Sequence, residues 1–206
     1  MPKNRLEAFS DGVIAIVITL LVLEIHIPAL PTHAGSGMLL QMLLRLAPNI
    51  AAYVISFLIC SIWWITHHNF VHDLREVDRT LLWANNMFLL CLGFLPFPTA
   101  LLGQQPREPV AAAFYGAVCT LAGFCFVFMR WYASSRGKLM RQEIPVRELR
   151  RRIHAGILMP VLYLIATGVS FASPLAATTL YLALPLWYAL GQPGLRVQGR
   201  VEQVED

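Results

Sequence analysis

Charge is what this chain has least of. Only 14% of its 206 residues are Asp, Glu, Lys or Arg, against about 25% in soluble globular domains. Hydrophobic residues make up 57%, and the mean hydropathy is +0.58. A soluble core at this length has no room for that much apolar surface, so a lipid bilayer is the expected solvent. The four cysteines, Cys60, Cys91, Cys119 and Cys125, all fall in apolar runs without CxxC spacing. They read as small buried hydrophobes rather than a disulfide framework or a metal box. Also missing are a GxSxG elbow, a Walker loop, an HExxH pair and a carboxylate pair within the apolar runs, so no enzyme is expected. A Thr-Val-Gly-Tyr-Gly segment is lacking too, which excludes a carbonyl filter of the usual potassium-channel type.

What is present is a series of charge-free stretches: 46–66, 80–106, 109–129, and a long one at 153–195 divided at Ser173-Pro174. A spanning helix needs about 20 residues, so these predict five spans. The first stretch, 12–23, offers about 18 Å of helix, well short of a hydrocarbon core of about 30 Å. A signal peptide is one reading of it, but Glu7, Asp11 and Glu24 interrupt the required pattern. The better reading is a sixth span whose end charges are satisfied by protein, broken afterwards by Pro28, Pro31, Gly35 and Gly37. The expected spans are 6–27, 46–68, 80–102, 109–130, 153–172 and 175–192, in one domain over 1–206 with a short cytoplasmic tail at 193–206.

The net charge of +4 sits in short basic runs between apolar stretches, a membrane-orientation pattern rather than a phosphate-binding one, and no nucleic-acid partner is expected. Six spans place fourteen of the sixteen Lys and Arg residues on one side, with Arg45 and Arg107 on the other. Both termini should then be cytoplasmic, in a multi-pass protein of the cell membrane. The run 147–152 reads as a topology determinant, with anionic-lipid binding as the alternative.

Arg5, Phe9, Ser10 and Asp11 sit at the mouth of the first span, where charges persist mainly when paired or when they line water. Trp64, His67 and His68 close the second span, and Asn85 and Asn86 lie near the start of the third. The topology brings all these ends to one membrane face. His68 and His72 are one helical turn apart, a spacing that can seat a metal, but no Cys or carboxylate lies at ligand spacing and no metal site is expected. The loop Asp73, Arg75, Glu76, Asp78 and Arg79 reads as a solvated connection.

Arg5-x-x-x-Phe9-Ser10-Asp11-Gly12, followed by Ala15-Ile16-x-x-Thr19-Leu20-Leu21, resembles the signature of the endosomal and lysosomal potassium channel family, and more closely its prokaryotic single-repeat members. Trp64-x-x-His67-His68, Asp78-Arg79-x-Leu81-Leu82-Trp83-x-Asn85 and Pro96-Phe97-Pro98-Thr99 extend the resemblance through the first half. The second half is similar only in hydropathy and span count. The resemblance implies an all-α homotetramer of six-span subunits around a central pore, passing monovalent cations and needing no cofactor beyond permeant K+. It implies that the first helix lines the pore with an apolar constriction in place of a carbonyl filter. The lining residues would be Ile16, Thr19 or Leu20, and Leu23. Arg5, Phe9, Ser10 and Asp11 would anchor that helix through Trp64, His67, His68 and Asn85. Thr19 departs from an aliphatic lining: its hydroxyl either replaces a lost water of hydration or bonds back to its own helix. The rival readings are a secondary transporter, a proton-permeable channel, and a membrane metalloprotein using His67, His68 and His72. A transporter would more often carry inverted repeats, and none is visible.

Overall fold

The computed structural model describes residues 3–29, 35–136, 139–141 and 146–191, with side chains described in all but 146–155 and 188–191. The expected tail 193–206, with Arg196 and Arg200, lies outside the described residues, as do Pro31 and Lys138.

The described residues are helical apart from connections and one isolated bridge. Helix α1, Lys3–Leu20, tightens into a 3-10 turn at Leu21–Glu24 and becomes extended at Ile25. It ends short of the expected residue 27, because Pro28 disfavours helical geometry in the residue before it. Helix α2, Ser36–Arg45, was not expected, since Gly35 and Gly37 suggested a continued break. The Met and Leu residues that follow are strong helix formers, and they outweigh those two glycines.

Helix α3, Ala47–His72, has a proline in its first turn and runs four residues beyond the expected end. The expected third span is two helices, α4 at Arg79–Phe94 and α5 at Pro96–Gln104, because Pro96 cannot donate to the α4 ladder. Helix α6, Pro109–Ser135, occupies the centre and packs on α4, on α5, on α7 (Val146–Val169) and on α8 (Pro174–Gly191). Close approach there depends on Gly116, which has no room for a methyl group beside the hydroxyls of Tyr181 and Thr167. Among the described residues, four units are long and apolar enough to cross a bilayer: Lys3–Glu24, Ala47–His72, Arg79–Gln104 and Pro109–Ser135. The parts of α7 and α8 with described side chains, Gly156–Val169 and Pro174–Trp187, are apolar too. The chain is an all-α, multi-pass membrane protein.

Two cores stack along the bundle. One joins Leu6 and Ile14 of α1 to Phe70, Leu81, Phe88 and Phe126; the other joins Val17 and Leu21 to Ile59, Tyr115, Tyr163 and Tyr181. Helix α1 contributes to both, which fixes its rotation.

The 73–78 loop is more than a solvated connection. Leu74 and Val77 are buried, and the backbone pairs with 139–141 through Arg75 N to Leu139 O (2.8 Å) and Arg141 N to Asp73 O (3.0 Å). Asp78 caps α4, accepting from Leu81 N at 2.8 Å, and its other oxygen accepts from the Tyr132 hydroxyl at 2.7 Å. Partial burial pushes this carboxyl up. The Leu81 amide, the Tyr132 hydroxyl and the Arg136 charge outweigh that and hold it below the ordinary carboxylate value. Its contribution is therefore complete above the unfolded value of about 3.9 and is lost as pH falls through the lower folded value. Asp78→Ala should cost about 1 kcal/mol at neutral pH, and the difference from wild type should shrink as thermal unfolding is measured towards pH 3. A constant difference across that range would exclude the ionised cap.

Candidate functional site

Helix α1 has two unlike faces. Leu6, Ser10, Ile14, Val17 and Leu21 form a buried stripe at spacings of three and four. On the other side Ile16 is 59% exposed, Leu20 41% and Leu23 68%, with Thr19 also exposed. The Thr19 hydroxyl donates to Ile16 O at 2.8 Å, the back-bonded arrangement of the two weighed above. Ile18 is half-buried and packs on both cores. Phe9 lies exposed nearer the N-terminus.

At that N-terminal end, three helices meet through a fully buried chain of side chains. His67 Nε2 donates to Asn85 Oδ1 at 2.8 Å, and Asn85 Nδ2 donates to Ser10 Oγ at 3.0 Å. The oxygen acceptor on Asn85 fixes the His67 proton on Nε2. The His67 ring stacks on Phe88, with centroids 5.8 Å apart and planes within 5°. Each member of the chain comes from a different helix, α1, α3 or α4, so the chain registers three elements at once.

A second set lies beside it, nearer the surface. Trp64 Nε1 donates to Asp11 Oδ1 at 2.9 Å, and His68 Nδ1 lies 3.6 Å from Glu7 Oε1. Lys3 reaches the carbonyls of Val71 and His72 at 3.4 and 3.1 Å, a cation on the C-terminus of α3. The expected anchor set is thus divided. Ser10, His67 and Asn85 form one network; Asp11, Trp64 and His68 belong to the other, joined by Glu7. Arg5 is exposed and, among the described residues, makes no hydrogen bond or ion pair, so the expected anchoring by Arg5 is not found within the subunit. Its position, one residue before the buried Leu6, turns it off the stripe that Ser10 continues.

His67, His68 and His72 do not converge either: His67 is committed to Asn85. The groups within mutual reach are instead Glu7, Asp11 and His68. In the sequence Glu7 counted only against a signal peptide, although Glu7 and Asp11 are four apart and share a helix face; it was passed over as a site residue. So was the buried hydroxyl cluster at the opposite end of the bundle, where Ser56 meets Thr99 at 2.8 Å and Tyr115 at 3.0 Å.

Residues 5–96 match the profile of the family described as endosomal/lysosomal potassium channel TMEM175. A potassium channel of Streptomyces collinus is 36% identical over 197 residues, a match covering 92% of this chain and 93% of that protein. The crystal structure of a lysosomal potassium-selective channel TMEM175 homolog from Chamaesiphon minutus superimposes with a TM-score of 0.79 at 31% identity, covering 92% of this chain and 97% of that one. The human endosomal/lysosomal proton channel TMEM175 is 35% identical over 116 residues, 52% of this chain but 23% of the human protein.

Proposed function

Because the chain belongs to the TMEM175 family of endosomal/lysosomal potassium channels, we propose that it is a potassium-selective, leak-type cation channel whose first helix lines the path. The relationship extends over nearly the full length of a bacterial relative named as a potassium channel. The observation that carries the pore assignment is the two-faced α1: Ile14, Val17 and Leu21 are buried in the subunit, while Ile16, Leu20 and Leu23 are left outward. A helix with charged groups at one end and a short apolar stretch suits a protein-lined axis better than a lipid face.

In this reading six spans with cytoplasmic termini assemble as a homotetramer in the prokaryotic plasma membrane, since one helix per subunit cannot enclose a path alone. Rings of Ile16, Leu20 and Leu23, with Thr19 between them, make an apolar constriction. Such a ring gates by dewetting, so a small rotation or tilt of α1 switches conduction. Potassium sheds water more readily than sodium and passes preferentially. Conduction needs no cofactor beyond the permeant K+. The buried Ser10–Asn85–His67 chain holds α1 in register and is a scaffold. The name of the animal relatives favours a second reading in which protons also permeate.

Purified protein reconstituted into liposomes should pass K+ down its gradient faster than Na+, and native mass spectrometry should give a tetramer. A proton-sensitive dye in the same vesicles reads the second permeation. Liposomes no leakier to K+ than empty ones, or a monomer at every protein concentration, would overturn the channel reading.

A further inference from the structure

We propose that Glu7, Asp11 and His68 form a binding site for a divalent transition-metal cation of the zinc type, bridging α1 and α3. One imidazole nitrogen and one oxygen from each carboxylate all lie within 4.8 Å of one another. His68 already faces Glu7 at 3.6 Å through Nδ1. Zinc bonds to nitrogen and oxygen are about 2.0–2.2 Å, so ligand atoms must close to about 3–3.5 Å from each other. Side-chain rotation achieves this, because Glu7 and His68 are both partly solvent-accessible. Three protein donors plus water complete a four-coordinate shell.

Two further observations favour a cation. First, the two carboxylates lie one turn apart on α1, and no Lys or Arg among the described residues pairs with either. Lys3, one turn before Glu7, is engaged by the carbonyls of Val71 and His72. The site therefore offers two carboxylates and one imidazole nitrogen, a mixed oxygen and nitrogen donor set that suits zinc better than magnesium or calcium. Second, Asp11 is already oriented from outside: the Trp64 indole holds Oδ1 at 2.9 Å and packs 5.9 Å from the His68 ring. An outer hydrogen bond that fixes a carboxylate is what metal ligands ordinarily have.

Binding would tie α1 to α3 at the end where α1 meets the other helices. Its effect on conduction rests on the channel reading, but binding itself does not, so the two fail separately. Calorimetric titration of the full-length protein in detergent with Zn2+ should give one ion per chain. Glu7→Gln and His68→Gln, on different helices, should each weaken binding at least tenfold, while His72→Gln leaves it as in wild type. Substituting Co2+ should give a visible d–d spectrum that both of the first two variants lose. Unfolding temperatures of the metal-free variants near that of wild type establish that the loss is of ligands and not of fold. The site is overturned if no Zn2+ binds, if binding survives both substitutions, if it follows His72 instead, or if Mg2+ or Ca2+ competes equally with Zn2+.

Discussion

Asn85→Leu should destabilise the folded subunit by about 1–3 kcal/mol for each buried group that it orphans. Asn85 serves two partners: its oxygen accepts from His67 Nε2 and its amide donates to Ser10 Oγ, all three residues being buried. Leucine fills the space but leaves the His67 N–H facing a hydrocarbon side chain. Ser10 Oγ loses only the donor it accepted from, whereas His67 is left with a buried N–H and no acceptor, so the histidine bears most of the penalty. Interhelical hydrogen bonds in membrane proteins average only about 0.6 kcal/mol in double-mutant cycles, so the truncation should cost more than the bond contributes. Two comparisons make the test specific. Ser10→Ala should cost less than Asn85→Leu, since it removes an acceptor from one of the two amide protons. Asn85→Leu combined with His67→Leu should be milder than the two singles summed, by more than 0.5 kcal/mol. Thermal unfolding in detergent reads all of these. An Asn85→Leu protein as stable as wild type, or strict additivity with His67→Leu, would mean that the chain is not what registers α1, α3 and α4.

Much of this arrangement was legible in the sequence, for a physical reason. Hydropathy and charge placement bring Ser10, Trp64, His67, His68 and Asn85 to the same membrane face, and residues that polar at the ends of apolar helices need partners. Which partner each takes depends on helix rotation, and charge placement says little about rotation. Arg5 and Asp11 stood together in the anchoring set that the resemblance implies. In the structure Asp11 turns to the Trp64 indole while Arg5, one position off the buried stripe, does not reach it. Glu7 counted only against a signal-peptide reading of the first stretch, yet its position four residues before Asp11 put it on the face that meets His68. The 73–78 loop looked solvated because five of its residues and flanks carry charge; Leu74 and Val77, buried against 139–141, were the signal in it. Helix α2 was hidden by Gly35 and Gly37, since a local breaker rule says nothing about how strongly the next eight residues favour a helix.

The exposed face of α1 carries the largest functional consequence. Ile16→Asn should raise cation flux several-fold and blunt the preference for K+ over Na+. An amide at the narrowest ring hydrates the constriction, so ions no longer need to shed water there. The substitution should be well tolerated by the fold, because Ile16 is 59% exposed in the subunit and supports neither core. Ile18→Asn is the contrasting change, two residues away on the same helix. Ile18 is half-buried and packs against both cores; an amide placed there loses water without gaining partners, at a cost of about 1–3 kcal/mol. It should lower the unfolding temperature and the yield of assembled protein without raising flux per channel. Leu23→Asn, beyond the last full turn of α1 and next to Glu24, lies where water is already available and should increase flux less than Ile16→Asn. Measured as K+ and Na+ flux in liposomes at matched protein content, the three variants separate a pore face from a packing face. If Ile16→Asn conducts and discriminates as wild type does while Ile18→Asn opens the path, the lining belongs to the face that the subunit buries, and the outward stripe of Ile16, Leu20 and Leu23 faces something other than the permeating ion.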